Sequence, residues 1–483
     1  MVMSTEMAMD AAMVKPQHFS VEPGSPAFAG RRIHFVGIGG SGMSGLAQML
    51  LQAGAIVSGS DQARSETTQR LSGLGCKIQE GGALAELDPQ VEVVVYSAAI
   101  RADHPELAAA QRRGATVMKY AQMLGEAMNI RCGIAIAGTH GKSTTTALTS
   151  YVLSKAGLDP SYVIGAVAPQ LGGSSHGGLG ELFVVEACEY DRSFLNLRPR
   201  IAAVLNIEED HLDYYRNLDE IIEAFGEFVG NVPDQGRVLV HHQDSACARA
   251  AASAKAPVET FGIGAGATWQ VVDISQHDQR IDFGVRYKGE VMGALSLRIA
   301  GRHNVLNALV AAAISHHSGV AWSDIAAAVE MFTGAHRRSE HLGKFGGITV
   351  IDDYGHHPTE IRATLMALRE HYNPRRLICV FQPHQHSRTR FLLNDFARSF
   401  SSADITVVPD IFFVRDSEKD RREIRADQLV ELIKSNGRTA VYIPTFKEIV
   451  TYLGQELVHG DLVVSMGAGP VWEVTHELVR RLR

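Results

Sequence analysis

Two separate stretches of the chain follow the order strand, glycine-rich loop, helix, and this order restricts the fold more than any other feature. The first is RIHFVGIGGSGMSGLAQMLLQAG, which starts at Arg32, and the second is CGIAIAGTHGKSTTTALTSYVLSKAG, which starts at Cys132. Strand-like and helix-like runs alternate around both stretches, a pattern that predicts parallel sheets with crossover helices. The chain is therefore predicted to have an α/β fold.

The alternating pattern divides into three segments, and a chain of 483 residues has room for two to four domains of about 100–200 residues each. We predict a Rossmann-like N-terminal domain over residues 30–128, a central P-loop domain over 129–336 that contains the second glycine-rich loop, and a Rossmann-like C-terminal domain over 337–483. In the central segment RIDFGVRY and VMGALSLRI alternate apolar and polar residues, which predicts an antiparallel hairpin added to a mainly parallel sheet. Residues 1–29 are Met-rich and polar and are predicted to form a disordered tail.

The predicted strands are short apolar runs bounded by turn residues. They are RIHFVG, AIVSGS and VEVVVYSA in the first segment, LFVVEA, IAAVLN and GRVLVHH in the second, and ITVIDD, RLICVFQ, DITVVPD, TAVYIP and DLVVSMG in the third. The run NVLNALVAAAISHH is predicted to close the second segment as a helix.

Composition excludes several classes of function. The net charge of -7 gives no electrostatic footprint for nucleic acid. No apolar run approaches the roughly 18 residues that a membrane-spanning helix needs, so no membrane insertion is expected. The five cysteines are scattered and never spaced C-x-x-C, which argues against a disulfide framework or a zinc knuckle. These features are typical of a reduced, cytoplasmic enzyme.

The second glycine loop, GTHGKSTTT, has the chemistry of a triphosphate site. A loop between a strand and a helix N-terminus directs backbone N–H groups at an anion. Lys142 can reach the β- and γ-phosphates, and the Ser143 hydroxyl suits Mg²⁺. Ile136 stands where the longer phosphate-loop motif has its first glycine, so the loop is a shortened variant. The alternative is a polar turn that merely caps a helix, and the sequence favours a nucleoside triphosphate.

The first glycine loop is less specific. Gly37, Gly39 and Gly42 have the order G-x-G-x-x-G, and Asp61 follows about 20 residues later, as in dinucleotide-binding folds. The motif alone favours NAD. In physical terms it specifies only a diphosphate lying close to backbone, and FAD or a UDP-sugar also presents one.

Acidic residues and a histidine follow two strands of the central segment. Glu186 ends LFVVEA, and Asp210 and His211 come after IAAVLN, so all three are expected at the carboxyl edge of the sheet, where ligands gather. A carboxylate and an imidazole beside a phosphate loop form a plausible Mg²⁺ environment. Three further acids are interpreted as helix caps or solvated charges: Glu189, Asp191 and Asp213.

Histidine pairs occur three times, and only one has a distinctive setting. His356 and His357 lie in DDYGHHPTE, directly after a strand, whereas the pairs at 241–242 and 316–317 are interpreted as structural. A second polar loop, FQPHQHSRTR, follows another strand. It is either a site for a carboxylate or phosphate or a solvated basic loop, and its polar members are His384, His386, Arg388 and Arg390.

Seven motifs together resemble the Mur ligase family, the ATP-dependent amide-forming enzymes of peptidoglycan synthesis. In the family's order they are GIGGSGMSGLA, GTHGKSTTT, NIEEDHLDYY, GRHNVLNALVAA, GAHRRSEHLG, DDYGHHPTE and FQPHQHSRT, and the resemblance runs from about Arg31 to the end. It implies ligation of L-alanine to the lactyl carboxylate of UDP-N-acetylmuramate through an acyl phosphate. The products would be UDP-N-acetylmuramoyl-L-alanine, ADP and phosphate. No lysine lies between Asn206 and Lys255, which fits the branch that adds L-alanine, because members adding later residues carry a carbamylated lysine there.

The resemblance also implies binding residues for both nucleotides. The UDP-sugar, rather than NAD, would lie against Gly37, Gly39, Gly40, Ser41, Gly42, Met43 and Asp61. ATP would lie against Gly138, Thr139, His140, Gly141, Lys142, Ser143, Thr144, Asn304, Asn307, Arg337 or Arg338, and Asp352 or Asp353.

The metal and the amino acid receive residues by the same resemblance. Mg²⁺ would be held by Ser143, Glu186 and His211. L-Alanine would be held by Tyr354, His356, His384 and Arg388, and the residues implied in catalysis are Lys142, His211, His356 and Arg388. The third domain is expected to close over ATP in a monomer or homodimer.

Three alternatives remain at this stage. A related ligase attaches a whole recycled peptide to the same sugar, although FQPHQHSRT favours a free amino acid. A nicotinamide-dependent oxidoreductase would explain the first loop but leave GTHGKSTTT without a role. A P-loop switch that hydrolyses ATP to change partners would need no sugar-nucleotide domain.

Overall fold

The computed structural model describes residues 28–82, 87–97, 99–101, 103–414 and 416–483. Most of the predicted disordered tail, residues 1–27, lies outside these ranges. The strands of the described residues form three separate sheets in chain order, which confirms the predicted three-part α/β fold. The exact domain boundaries stay predictions. Among the described residues, no helix has the length and apolar character required to cross a bilayer.

The N-terminal sheet has five described strands, all parallel, in the order β3-β2-β1-β4-β5. Its strands are β1 (Arg32–Val36), β2 (Ile56–Asp61), β3 (Lys77–Glu80), β4 (Val93–Tyr96) and β5 (Thr116–Lys119). Its helices are α1 (Ser41–Gln52), α2 (Glu66–Gly73), α3 (Pro105–Arg112) and α4 (Tyr120–Asn129).

The central sheet has ten described strands in the order β15-β14-β13-β12-β11-β10-β6-β9-β7-β8, parallel through its middle and antiparallel at both edges. Its strands are β6 (Cys132–Ala137), β7 (Ser161–Ala168), β8 (Gly173–His176), β9 (Leu182–Glu186), β10 (Ile201–Val204), β11 (Arg237–His241), β12 (Val258–Ile263), β13 (Trp269–His277), β14 (Arg280–Tyr287) and β15 (Glu290–Leu297). Its helices are α5 (Lys142–Lys155), α6 (Leu218–Gly230), α7 (Ser245–Ala251), α8 (Arg302–His317) and α9 (Trp322–Met331), with 3-10 turns at Pro169–Leu171 and Tyr190–Asn196.

The C-terminal sheet has six described strands in the order β16-β17-β21-β18-β19-β20, with only β16 antiparallel. Its strands are β16 (Glu340–Phe345), β17 (Ile348–Asp353), β18 (Arg376–Phe381), β19 (Ile405–Val408), β20 (Ala440–Tyr442) and β21 (Asp461–Met466). Its helices are α10 (Pro358–Tyr372), α11 (His386–Phe391), α12 (Leu393–Arg398), α13 (Glu418–Glu423), α14 (Ala426–Ser435), α15 (Phe446–Glu456) and α16 (Trp472–Leu482).

The central strands of each sheet are apolar because both of their faces are covered. Every residue of β10 and of β21 is buried, as expected where helices pack on the two faces of a parallel sheet. The predicted hairpin is confirmed as β14 and β15, but it belongs to a three-strand meander that begins at β13. The prediction that the α8 run closes the second segment was incomplete, because α9 follows it.

A buried carboxylate, Glu259 on β12, ties the meander to α8. It accepts hydrogen bonds from Trp269 Nε1 at 2.8 Å and from the Tyr287 hydroxyl at 2.9 Å. His317 Nε2 lies 2.8 Å from its Oε2, and Arg237 pairs with its Oε1. Burial alone would raise the pKa of Glu259, but these partners hold the pKa at about 2. The structural role predicted for the 316–317 histidine pair agrees with this contact.

We expect Glu259→Gln to lower the midpoint of thermal unfolding at pH 7 by about 5–10 °C. The depressed pKa of Glu259 corresponds to about 3 kcal/mol of stability at most, and a domain of this size loses about 2–4 °C per kcal/mol. The folded pKa lies below the unfolded value of 4.5, so this stability is complete above pH 4.5 and declines as the pH falls toward 2. Calorimetry at pH 7 and pH 4 tests both points, with Glu330→Gln, in a half-exposed pair with Arg280, as the control. Equal midpoints for Glu259→Gln and the parent protein at pH 7 would contradict the expectation.

Candidate active site

The phosphate loop joins β6 to α5 with a backbone that only glycine adopts easily. Gly138 has φ +144° and Gly141 has φ +83°, and a Cβ on Gly141 would lie 2.7 Å from Asn307 Oδ1. The side chain of Asn206 fixes the middle of the loop, because its Oδ1 accepts from the His140 N–H at 2.7 Å and its Nδ2 donates to the His140 carbonyl at 3.1 Å. The loop therefore has a defined shape at the N-terminus of α5, where an anion is favoured.

Lys142 begins α5 and turns back over the loop. Its ammonium donates to the carbonyls of Gly138 and Thr139 at 2.5 and 3.1 Å and to the Glu189 carboxylate at 2.9 Å. Burial alone would lower the pKa of Lys142, but the charge of Glu189 outweighs burial and raises it, so the lysine stays charged. The interpretation of Glu189 as a cap or a solvated charge was wrong. It precedes the Tyr190–Asn196 turn, but its side chain makes no capping bond and is buried against Lys142.

Two of the three predicted metal ligands meet beside the loop. The Ser143 hydroxyl donates to Glu186 Oε1 at 3.2 Å, and the Gly165 N–H donates to Glu186 Oε2 at 2.7 Å. A Cβ at Gly165 would come within 2.7 Å of that oxygen, so the space around the carboxylate depends on the glycine. The third, His211, lies 3.7 Å from Glu189 Oε1 instead. Hydroxyl and carboxylate oxygens beside a phosphate loop fit Mg²⁺.

A cavity of about 570 Å³ lies between the phosphate loop, the carboxyl ends of the central strands and the C-terminal domain. Among the predicted ATP residues, those in its wall are His140, Gly141, Thr144, Asn304, Asn307, Arg338 and Asp353. Its volume is in the range of small-molecule sites.

The two ambiguous pairs of the prediction separate in the structure. Arg338 donates to the Ser143 hydroxyl at 3.0 Å, so it faces the phosphate loop. Arg337 instead donates from Nε to Asp352 Oδ2 at 3.3 Å and from Nη2 to the backbone carbonyls of Gly467 and Gly469. Neither Arg337 nor Asp352 is in the cavity wall. Asp353 is in the wall, and burial raises its pKa to about 6. Arg338 and Asp353 are therefore the members placed to contact a ligand.

Sequence reasoning missed one side of the cavity. His241, which had been interpreted as structural, ends β11 and stacks on Phe261 with ring centroids 5.3 Å apart, and both line the cavity with His303. Burial lowers the pKa of His303 to about 4, so it is neutral near pH 7. The rule that ligands gather at strand ends would have found His241 if it had been applied to β11.

The residues predicted to hold the amino acid lie together at the edge of the C-terminal sheet. Ring centroids of Tyr354 and His356 are 5.4 Å apart, those of His356 and His384 are 6.0 Å apart, and Arg388 Nη1 is 3.3 Å from His384 Nδ1. Burial lowers the pKa of His356 to about 4, which leaves it neutral. The remaining bonds of Arg388 cross to the central domain, where its Nε and Nη2 donate to Asp210 Oδ1 at 3.2 and 2.8 Å.

The first glycine loop is held by the acid that follows it. Asp61 Oδ2 accepts from the Gly39 N–H at 2.8 Å, so the carboxylate fixes the loop as well as bordering it. A Cβ on Gly42 would lie 3.0 Å from the Tyr120 ring at the start of α4, so the glycine lets that ring pack closely against the end of the loop. The Met43 side chain is buried in the core, so only its backbone is available to a diphosphate.

Charged side chains from the central and C-terminal domains meet at one edge of the cavity. His140 Nε2 lies 3.3 Å from Glu208 Oε2, and His140 Nδ1 lies 3.2 Å from Glu360 Oε1. The Thr359 hydroxyl donates to Glu208 at 2.7 Å, and the His357 ring packs against that of His140 with centroids 4.7 Å apart and planes tilted by 39°. Burial alone would lower the pKa of His140, but Glu360 and Glu208 raise it to about 9. The domains therefore meet through complementary charges.

Three family profiles match this chain in series. They are described as the Mur ligase family catalytic domain over residues 32–131, the Mur ligase middle domain over 136–315 and the Mur ligase glutamate ligase domain over 337–469. Their order and spacing follow the three sheets.

Relatives of known name match over nearly the whole chain. A UDP-N-acetylmuramate--L-alanine ligase of Desulforamulus reducens is 40% identical over 455 residues, which cover 94% of this chain and 98% of that protein. The enzyme of the same name from Caldanaerobacter subterraneus is 41% identical, covering 92% and 96%.

Solved structures agree with these relatives. UDP-N-acetylmuramate-alanine ligase from Thermotoga maritima superposes with a TM-score of 0.78 at 27% identity, covering 93% of this chain and 98% of the other. A murein peptide ligase from Psychrobacter arcticus gives 0.68 at 27% identity, covering 94% and 99%. With three matching profiles, relatives at 40% identity along its length and the same three-domain fold, the chain belongs to the Mur ligase family.

Proposed function

We propose that the chain joins L-alanine to the lactyl carboxylate of UDP-N-acetylmuramate, using ATP, in the synthesis of peptidoglycan precursors. One observation carries the proposal: the phosphate loop opens into a cavity whose opposite wall comes from the C-terminal domain, in a chain that matches ligases of that name along almost all of its length. Such a cavity can hold a nucleotide next to a second substrate while excluding water.

The reaction needs activation because a carboxylate is a poor acyl donor. Phosphoryl transfer from ATP would convert the lactyl carboxylate to an acyl phosphate, and Mg²⁺ held by Ser143 and Glu186 would offset phosphate charge. Lys142 donates to two carbonyls of the loop and Arg338 donates to Ser143 beside it, and both cations would stabilise negative charge that develops during the transfer. The Asp353 carboxylate would accept hydrogen bonds from the ribose, and His241 and Phe261 would flank the base.

The amide then forms when the amine of L-alanine attacks the acyl carbon and phosphate leaves. Arg388 would hold the carboxylate of the amino acid, because guanidinium recognises carboxylates through paired N–H donors. His356 and His384 would border the amine. His356 is neutral near pH 7, so it can accept a hydrogen bond from the amine without adding a repelling charge. Removal of water from the closed cavity would protect the acyl phosphate from hydrolysis.

The first glycine loop is proposed to hold the UDP diphosphate. NAD is not favoured once the whole chain is considered, because a nicotinamide-dependent reaction gives the second loop no role. The proposed domain boundaries, the cytoplasmic location and a monomer or homodimer stay predictions.

The test is phosphate release from ATP with UDP-N-acetylmuramate and, one at a time, L-alanine, L-serine, glycine or a stem tripeptide, with product mass measured in parallel. We expect release to require both the sugar nucleotide and L-alanine, to give the alanyl adduct, and to stop when EDTA removes Mg²⁺. Turnover with the tripeptide but with none of the single amino acids would instead favour a murein peptide ligase, the activity named for the Psychrobacter structure. Release that ignores the sugar nucleotide would contradict both and favour an ATP-hydrolysing switch.

A further inference from the structure

We propose that His140, Glu208 and His357 form a second metal site, selective for a divalent transition ion such as Zn²⁺, that closes when the central and C-terminal domains meet. These three residues are called the His–Glu–His cluster below. The cluster is separate from the Mg²⁺ ligands proposed above, Ser143 and Glu186. Its metal binding does not depend on the proposed ligase activity, although its effect on turnover does.

The geometry of the cluster is close to that of a bound ion. His140 Nε2 lies 3.3 Å from Glu208 Oε2, and His357 Nδ1 lies 3.7 Å from the same oxygen. The candidate ligand atoms of the three residues all lie within 4.8 Å of one another. Tetrahedral zinc with bonds of about 2.0–2.2 Å holds its ligands about 3.3–3.6 Å apart, so two separations nearly fit and the third needs a small side-chain rotation.

Both imidazoles are held from behind, as metal-binding imidazoles usually are. The ring nitrogen of His140 that faces away from Glu208 lies 3.2 Å from Glu360 Oε1. The corresponding nitrogen of His357, Nε2, lies 3.2 Å from the carbonyl of Glu209. These outer oxygens orient each ring. Glu360 and Glu208 raise the pKa of His140 to about 9, so its nitrogen facing Glu208 carries a proton at neutral pH, and the ion would displace that proton to solvent when it binds.

The ligand types select the metal. Two imidazoles and one carboxylate suit Zn²⁺, Co²⁺ or Ni²⁺, whereas Mg²⁺ prefers an all-oxygen shell. His140 and Glu208 also line the cavity, so the fourth coordination position can be open to water or to a phosphate oxygen. The cluster can thus bind a transition ion in the presence of excess Mg²⁺.

The position of the cluster predicts its effect. His140 belongs to the phosphate loop, and His357 lies at the N-terminus of α10 in the other domain. Without a metal, His357 Nδ1 accepts a hydrogen bond from the Thr359 N–H at 3.3 Å, and an ion would take the place of that bond. An ion bonded to both would hold the domains together at the edge of the ATP cavity. Because product release requires the cavity to open, we expect Zn²⁺ to inhibit turnover reversibly.

The experiment measures binding before activity. Zn²⁺ is titrated into the full chain and followed by calorimetry, and Co²⁺ is followed by its visible absorption, both with an excess of MgCl₂ over protein and without nucleotide. We expect one equivalent to bind, and His357→Gln to weaken binding at least about tenfold, with Glu360→Gln weakening it about tenfold by loss of the outer contact. His277→Gln, an exposed histidine in the meander, is the matched control and should bind as the parent protein does.

Two results would overturn the proposal. The first is binding that survives both His357→Gln and Glu208→Gln. The second is binding that His211→Gln removes and His357→Gln does not, because the ion would then sit beside Glu189 and Asp210. Binding at the cluster without inhibition of phosphate release would remove only the clamping effect, and absence of ligase activity with Zn²⁺ binding intact would remove only the proposed function.

Discussion

Lys142→Met is expected to lower kcat by about 10³-fold in a protein that still folds but is less stable. The Lys142 ammonium lies over the phosphate loop and donates to the carbonyls of Gly138 and Thr139. A methionine has a similar length, so it keeps the packing but removes the charge. Steady-state phosphate release with all three substrates gives kcat, and circular dichroism with thermal unfolding reports the fold. Lys155→Met, at the last residue of the same helix, is the matched control and should leave kcat unchanged.

A double variant separates the charge of Lys142 from its role as the partner of Glu189. Removing the lysine leaves the buried Glu189 carboxylate without its cation, which by itself destabilises the site. Glu189→Gln in the Lys142→Met background removes that unpaired charge. We expect stability to recover and kcat to stay low. Recovery of kcat in the double variant would mean that the lysine acts only as a counter-ion for Glu189.

Arg388→Ala is expected to reduce turnover at least about 100-fold, because it leaves the buried Asp210 carboxylate without its guanidinium partner. Burial alone would raise the pKa of Asp210, and Arg388 is the main cause that lowers it. Loss of one partner of a buried ion pair costs about 3–5 kcal/mol. The pair joins two domains, so the cost falls on the closed arrangement rather than on the stability of either domain. Activity with saturating ATP and solution scattering with all ligands would measure the two effects.

The Asp210→Asn change distinguishes two functions of this arginine. In Arg388→Ala/Asp210→Asn the unpaired charge is gone, so we expect closure to be regained in part. The KM for L-alanine should be raised in both the single and the double variant, because the proposed carboxylate contact is missing from both. Arg249→Ala, in an exposed pair with Asp219, is the control and should change neither property. A normal KM in the double variant would make Arg388 a closing residue with no contact to the amino acid.

The sequence predicted those parts of the fold that depend on residues close together in the chain. The strand–loop–helix order at residues 132–155 is visible in the sequence because apolar runs, glycines and helix formers are contiguous there. The short strands β3 and β5 were not predicted. Each has only four residues, mostly exposed or half-buried, so neither shows an apolar run in the sequence. The antiparallel edge strand β16 was missed for the same reason.

Contacts between distant residues explain the errors at the site. Glu189 looked like a solvated acid because its partner Lys142 lies 47 residues earlier in the chain. Asp210 and Arg388 are 178 residues apart, and no sequence spacing predicts their pairing. The motifs identified which residue types are available, whereas tertiary packing decided that Arg338 rather than Arg337 faces the loop.

The two hydrogen bonds from the Asn206 amide to the backbone of His140 fix the phosphate loop before a nucleotide binds. Fixing a flexible residue costs about 1–2 kcal/mol of backbone entropy, and here that cost is met when the central domain folds, before any ligand arrives. The binding site is therefore preorganised, and we expect the nucleotide to associate without a prior rearrangement of the loop. The slow motions of the catalytic cycle then belong to the approach and departure of the C-terminal domain, and substitutions at Asn206 should convert a rigid receptor into one that its ligand must first organise.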